Sequence, residues 1–466
     1  MPAPPQARPE VESLQAYSAP LEGRRGLLRL DFNENTVGPS PKVVEAIRAI
    51  PADHYAIYPE YDGLREAVLA SLADMAGAIV AAADSTAPVP AVAPAVAPAV
   101  APAIRADGVP ALATVPLPQQ PTRRPSLRIE QVGLFNGVDA AIHAVFQAYG
   151  APGDRLLTTS PTFGYYTPCA RMQGMVIEAI PYRMPGFAFP FEEILAALTT
   201  PPAEADESWR PPRLLLLCNP NNPTGTRLAP EVVLALAAAA PHTLVVVDEL
   251  YEAFTGDSVL PLLLAPGGRP DPEGQKPGDA SVRAAGAAAA PETASPETAA
   301  LPTAAGADPF AAYPNLLVLR SLSKTAGIAG LRIGFAIGAA AVVDRVSRVT
   351  GPYDINSFAV TAAFAALADQ PYVDAYVAEV LAARQWLVER LVAAGVRHHV
   401  DGGNYLLIWP QRPAVEVDQA LREAGILVRS MAGKPLIDGS LRVSLGTLEQ
   451  MGRFWEAFAR CDARPA

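Results

Sequence analysis

The stretch Leu319–Phe335 reads "LRSLSKTAGIAGLRIGF". One lysine, Lys324, sits between serines and glycines at the end of an apolar run, and Arg332 follows eight residues later. An ammonium buried there is costly unless it is used. A lysine can form a Schiff base with a carbonyl cofactor once desolvation or a nearby cation lowers its pKa and frees the amine. Ser321 and Ser323 add hydroxyl donors, "GIAG" admits close backbone approach, and Arg332 offers a two-pronged grip on a phosphate. A phosphorylated aldehyde would use both halves of this arrangement. A lysine in a surface loop is the ordinary alternative, and the neighbours weigh against it.

The next stretch upstream is "TLVVVDELYEAF", Thr243–Phe254. Asp248 ends an apolar strand, where a carboxylate is expensive without a cationic partner. The ring nitrogen of pyridoxal phosphate supplies one, and its protonation makes the ring an electron sink. Tyr251 is placed to donate to the cofactor's phenolic oxygen. A helix cap by Asp248 or Glu249 stays open on this segment alone. In "LLLLCNPNNPTGT", Leu214–Thr226, a strand runs into a loop stiffened by Pro220 and Pro223, and Asn222 can reach the phenolic oxygen from the other side. In "FNGVDAAIHAVFQAYG", Phe135–Gly150, a glycine precedes an amphipathic helix. The free N–H groups of Val138 and Asp139 would make a phosphate seat there, although Asp139 as a simple helix cap is also consistent. Phe163 in "TSPTFGYY" follows a strand, where its face can stack on a planar ring or join the core. Arg429 in "GILVRS" and Arg442 in "LRVSLG" suit an anionic substrate group, with surface salt bridges as the alternative.

The chain has 466 residues, half of them hydrophobic, with a formal net charge of -11. It is long enough for two to three domains. The charge argues against a nucleic-acid or anionic-membrane surface, and no partner of either kind is expected. Three cysteines fit neither a disulfide framework nor a zinc site, and the five histidines form no metal spacing, so no metal is expected. No signal peptide or spanning segment is read, and a cytoplasmic enzyme is expected.

Two segments differ in composition. About Ala81–Pro125, with "PVPAVAPAVAPAVAPAI", and about Ala265–Ala312 are rich in alanine and proline and read as insertions. A shorter one is "TTPPAEADESWRPP". Elsewhere, strands are predicted at Arg155–Thr159, Met175–Ile180, Arg213–Cys218, Leu244–Val247, Leu316–Leu319 and Ile333–Ile337. Helices are predicted at Val138–Tyr149, Phe163–Met172, Pro230–Ala239 and Ala341–Val349. That alternation predicts an α/β fold with a mainly parallel sheet, residues 51–350, whose ligands bind beyond the carboxyl ends of the strands. Residues 351–466, starting with one helical stretch over Asn356–Ala393, read as a smaller α+β domain. Residues 1–50 pack with it.

Taken together, the sequence resembles the pyridoxal-phosphate-dependent aminotransferases of fold type I, classes I and II, and among them the histidinol-phosphate aminotransferases. The stretches that carry the resemblance are "NENTVGPSP", "YPEYDGLREAV", "GDRLLTTSPTFGYY", "CNPNNPTGT", "VVVDELYEAF", "YPNLLVLRSLSKTAGIAGLRIGF", "PYDINSFA" and "ILVRS" with "LRVSLGT". They span nearly the whole chain apart from the insertions. The resemblance implies Lys324 as the internal aldimine lysine that also shuttles the proton, Asp248 on the pyridine nitrogen, and Asn222 and Tyr251 on the phenolic oxygen. It implies Phe163 stacked on the ring and a phosphate held by the Val138 and Asp139 backbone, Ser321, Ser323 and Arg332. Tyr58 would reach the phosphate from the other subunit of a homodimer with shared active sites. Arg442 would grip the substrate's carboxylate or phosphate, with Tyr17 and Arg429 at its phosphate end. Thr36, Ala140, Leu250 and Ala326 depart from the family pattern without touching these chemical groups.

The implied reaction moves the amino group of L-histidinol phosphate to a keto acid, 2-oxoglutarate, by a ping-pong mechanism. Three alternatives stay open: an aromatic or broad-specificity aminotransferase, a decarboxylase of an amino-acid phosphate with the same cofactor, and a non-catalytic binding protein on the same scaffold.

Overall fold

The computed structural model describes residues 5–14, 22–84, 126–201, 209–264 and 307–463. Tyr17 and most of the two alanine- and proline-rich segments lie outside them. Thirteen strands are formed among these residues: β1 (Leu28–Arg29), β2 (Val132–Phe135), β3 (Arg155–Ser160), β4 (Val176–Pro181), β5 (Leu214–Cys218), β6 (Leu244–Asp248), β7 (Leu316–Ser321), β8 (Gly334–Gly338), β9 (Arg397–His399), β10 (Tyr405–Trp409), β11 (Ile426–Leu427), β12 (Arg429–Ser430) and β13 (Leu441–Ser444).

Seven of them make the central sheet in the order β2-β8-β7-β6-β5-β3-β4. β8 runs antiparallel to both its neighbours, and the remaining pairs are parallel. β5 and β6 are buried at all five positions, as strands covered by helices on both faces must be. One apolar cluster covers each face of the sheet. The first includes Leu215, Val245, Val247 and Val318; the second includes Leu214, Leu216, Val246 and Leu317. These are alternating residues of the same strands, as a period of two requires.

The predicted strands form within a residue or so of their expected limits. Helices Val138–Tyr149 and Pro230–Ala239 have the predicted bounds. The helix expected from Phe163 starts at Tyr166, which leaves Phe163 in the turn after β3. The stretch Asn356–Ala393, expected as one helix, is two: Ser357–Leu367, capped by Asn356, and Gln370–Ala393. Pro371 in the first turn of the second helix cannot continue a preceding one. The first insertion is expected from about Ala81, yet the helix that starts at Leu64 runs to Asp84. The second is expected up to about Ala312, yet Phe310 is buried in the core and Asp308 bonds Gln131.

A second sheet, β12-β13-β10-β9, is antiparallel and packs with the helices Gln370–Ala393, Ala414–Glu423 and Leu448–Asp462 around its own apolar cluster. β1, from the N-terminal region, pairs in parallel with β11. No described helix is long and apolar enough to cross a membrane.

The N-terminal segment also reaches the loop after β7. Asn35 Nδ2 donates to the Thr325 carbonyl at 2.8 Å. Gly327 has φ +74, and a side chain there would collide with the Gly38 backbone.

Candidate active site

β5, β6 and β7 are adjacent and parallel, with Cys218 opposite Asp248 and Asp248 opposite Leu319. Their carboxyl ends therefore bring the loop after β5, Asp248 and the loop after β7 together. A cavity of about 120 Å³ opens there. It is lined by Val138, Asp139, Phe163, Asn222, Asp248, Tyr251, Ser321, Ser323, Lys324 and Arg332, with Cys218, Leu250 and Ala329. All the cofactor residues proposed from the sequence are in this lining except Tyr58, whose side chain is on the surface and stacks on Tyr353 at 4.1 Å.

Lys324 Nζ is turned inward and donates to the Phe32 carbonyl at 2.9 Å. Burial, reinforced by the positive field of Arg442, lowers its pKa to about 8. Neutral amine is therefore accessible near physiological pH, as a nucleophilic lysine needs.

Asp248 is fully buried, and burial pushes its pKa up to about 7. Its Oδ2 accepts the hydroxyl proton of Tyr166 at 2.8 Å, and its Oδ1 accepts the Leu250 N–H at 3.3 Å. No described lysine, arginine or histidine forms an ion pair with it. A carboxylate in this position asks for a cation inside the cavity.

The end of the cavity expected to seat a phosphate lies at the start of helix Val138–Tyr149. Gly137 caps it with φ +78, and the N–H groups of its first turn have no partner within the helix. Arg332 packs over this turn. A Cβ on Gly137 would lie 2.6 Å from Arg332 Nη2, so only glycine leaves the cradle open. Arg332 Nη2 donates to Asp139 Oδ2 at 2.8 Å, which ties the arginine to the helix start. Ser321 and Ser323 share a hydroxyl contact of 2.9 Å beside it.

Asn222 and Tyr251 meet at 3.4 Å, with Asn222 Nδ2 donating to the Tyr251 oxygen. Arg442 Nη1 donates to Asn222 Oδ1 at 2.6 Å, and Arg442 Nη2 donates to the Asp31 carbonyl at 2.5 Å. Arg429 stands opposite Arg442 in the β12–β13 register and faces Phe32 with its guanidinium 5.6 Å from the ring centre.

Pyridoxal phosphate fits these residues. The cavity holds an amine at one end, an anion seat of helix N–H groups and Arg332 at another, and a buried carboxylate without a cation beneath. Phe163 stands at its wall, edge-on to Tyr166 at 5.5 Å.

Sequence reasoning assigned no role to Tyr166, Asn33 or Ser444. Tyr166 opens the helix that follows the turn carrying Phe163, three residues on in the same quoted stretch. Asn33 donates to the Tyr251 oxygen at 3.1 Å, and Ser444 bonds Asn33 from β13. No local pattern announces contacts between residues hundreds of positions apart.

Behind the site, Arg320 and Glu249 form a buried ion pair at 3.1 Å, which Ser258 joins at 2.8 Å from Arg320. This pair joins the ends of β6 and β7 at the positions flanking Asp248 and Ser321.

The family described as "Aminotransferase class I and II" matches residues 124–458. The chain is 28% identical to a histidinol-phosphate aminotransferase of Symbiobacterium thermophilum, over 93% of this chain and 90% of that protein. It is 32% identical to one of Streptomyces avermitilis, over 71% of this chain and 74% of that protein. Among solved structures, the histidinol-phosphate aminotransferase of Sinorhizobium meliloti in complex with pyridoxal-5'-phosphate matches with a TM-score of 0.67. That match has 19% identity and covers 98% of each chain.

Proposed function

The chain belongs to the class I and II aminotransferases, and from that premise we propose that it transfers the amino group of L-histidinol phosphate to 2-oxoglutarate, with pyridoxal 5'-phosphate as cofactor. The observation that carries this reading is the single cavity faced by Lys324, Asp248 and Arg332. When bound, pyridoxal phosphate supplies an aldehyde that takes up and releases amino groups and a ring that accepts electrons from the substrate's α-carbon.

The side chains divide the remaining work. Asp248 is a buried acceptor that keeps the ring nitrogen protonated, and Tyr166 holds that acceptor in place. Asn222 and Tyr251 stand at the phenolic oxygen. The Val138 and Asp139 N–H groups, Ser321, Ser323 and Arg332 bind the phosphate. Lys324 Nζ, turned inward and easily freed of its proton, would be the base that takes the proton from the substrate's α-carbon and returns it to the cofactor's aldehyde carbon.

The substrate assignment is supported by the pair of arginines in register on β12 and β13. Arg442 accepts a phosphate monoester in one half-reaction and a carboxylate in the other, which a planar guanidinium can do. Arg429 and Tyr17 would add to the phosphate end.

A homodimer is part of the same reading. Tyr55, Ile57, Tyr58 and Tyr353 are all more than half exposed on one surface, where a lone subunit leaves much apolar area in water. In a dimer Tyr58 would reach the partner's phosphate seat. A cytoplasmic location fits the three cysteines, all of them free thiols.

The test is a panel of amines: histidinol phosphate, phenylalanine, aspartate and threonine phosphate. Histidinol phosphate should convert the bound cofactor to its amine form fastest, and 2-oxoglutarate should restore it. Faster conversion by phenylalanine would favour the broad-specificity alternative. Carbon dioxide release from threonine phosphate, without reversal by the keto acid, would favour the decarboxylase. Lys324→Ala should abolish turnover and the borohydride-trapped cofactor adduct seen by mass spectrometry. Retention of both would refute the assignment of Lys324.

A further inference from the structure

Asn33 is fully buried, has φ +55, and lies on no strand or helix. Its backbone N–H donates to Ser444 Oγ at 2.8 Å, a direction that admits no alternative. The Ser444 hydroxyl proton is then free to donate, and its partner at 2.8 Å is the Asn33 side chain. The hydroxyl donates to the amide oxygen, Asn33 Oδ1. The amide nitrogen of Asn33 consequently faces the Tyr251 oxygen at 3.1 Å.

The same logic applies on the other side. Arg442 can only donate, so the Asn222 atom it meets is the oxygen, and the Asn222 amide nitrogen is turned to the Tyr251 oxygen. Tyr251 thus receives two amide N–H groups and keeps only its own proton to give. Tyr251 lines the cavity, so that proton is available to a group held there.

We propose that Asn33 and Ser444 are positioning residues that lock Tyr251 as a donor into the cavity, and through it stabilise the negative charge on the cofactor's phenolic oxygen. The proposal rests on the pyridoxal phosphate reading above and adds two residues, from the N-terminal segment and from β13, that do not line the cavity themselves. The other charged or titratable groups facing Tyr251 are Arg442, Lys324, Asp248, Cys218 and Tyr405. They are the same in every variant below.

A donor on the phenolic oxygen favours loss of the proton shared between that oxygen and the Lys324 nitrogen. Weakening the donor therefore raises the midpoint at which bound-cofactor absorbance titrates with pH. Asn33→Ala deletes one of the two N–H donors. Asn33→Asp keeps the shape but presents an acceptor, which turns the Tyr251 proton away from the cavity. A purely structural role predicts the opposite order, since the isosteric change disturbs packing less.

The experiment titrates the absorbance of the cofactor-loaded full-length protein. The expected midpoint rises in Asn33→Ala and rises further in Asn33→Asp, by about one pH unit or more, as befits loss of a hydrogen bond to a charged group. The gap between the two variants should collapse in a Tyr251→Phe background. A midpoint in Asn33→Asp no higher than in Asn33→Ala, or a gap that keeps its size without the Tyr251 hydroxyl, overturns the proposal. If Asn33→Asp does not fold, Ser444→Ala carries the test. It should raise the midpoint and weaken cofactor binding to the apoprotein, and no change in either overturns the proposal. Absence of any bound-cofactor absorbance band in the unsubstituted protein refutes the cofactor reading instead, which keeps the two failures apart.

Discussion

Tyr166 gives its hydroxyl proton to Asp248 Oδ2 across 2.8 Å, with both side chains sealed from water. The bond stabilises the ionised carboxylate and opposes the effect of burial, which alone drives Asp248 toward its neutral form.

Tyr166→Phe removes that donor and leaves the carboxylate oxygen without a partner. Loss of a hydrogen bond to a charged group is worth about 1.5–3 kcal/mol, or about one to two pH units in proton affinity. The proton affinity of Asp248 rises, so it ionises only at higher pH. The acid limb of kcat/KM should move up by about that amount while the alkaline limb stays in place. A pH-rate profile of the purified variant checks this.

In the cofactor-free protein, Asp248 binds its proton more tightly folded than unfolded. Its folded pKa of about 7 lies above the unfolded value near 4, so stability is fullest below about pH 4 and falls as pH rises to about 7. Asp248→Asn carries no such charge. Its unfolding free energy, measured with urea, should exceed that of the unsubstituted apoprotein by a margin that grows across this window, to a few kcal/mol above it. Parallel curves for the two proteins would contradict a desolvated Asp248.

Gly137→Ala places a methyl 2.6 Å from Arg332 Nη2 at a backbone position with φ +78. The arginine must move or the helix start must reshape. Affinity for pyridoxal phosphate should drop about tenfold or more, equivalent to about 1.4 kcal/mol. Pyridoxal without its phosphate should bind with nearly unchanged affinity. Equilibrium titration of the apoprotein with both compounds separates the two effects.

Glu249→Ala strands the Arg320 guanidinium among buried residues. Glu252 and Ser258 still contact it, so the loss should sit near the low end of the range for a broken buried pair, about 3 kcal/mol. Urea denaturation reads it directly. Because the pair closes the ends of β6 and β7, the same variant should also bind cofactor more weakly.

Much of the sheet was legible because β5, β6 and β7 carry unbroken apolar runs, each ended by a polar signal: Asn219, Asp248 and Arg320. Such runs can only be interior strands, and their ends must share one rim. That alone puts Lys324 near Asp248. β2 was not legible. It is four residues long, and its partner β8 lies about two hundred residues away. The break between the helices Ser357–Leu367 and Gln370–Ala393 is masked in the sequence because alanine favours helix on both sides, and Pro371 is its one signal. The role of Asn33 is not legible in the sequence, since its partners Ser444 and Tyr251 become neighbours only once the chain is folded.

The wrapping of residues 32–38 around the loop that carries Lys324 has a consequence for how the molecule is made. Asn35 waits for Thr325, 290 positions later, and Asn33 waits for Ser444, 411 positions later. Contacts of that span close slowly and only after the intervening chain exists. During synthesis from the amino end, the first of these segments leaves the ribosome long before its partners. Its docking is thus one of the last events of maturation, and stable uptake of the vitamin follows release of almost the entire polypeptide.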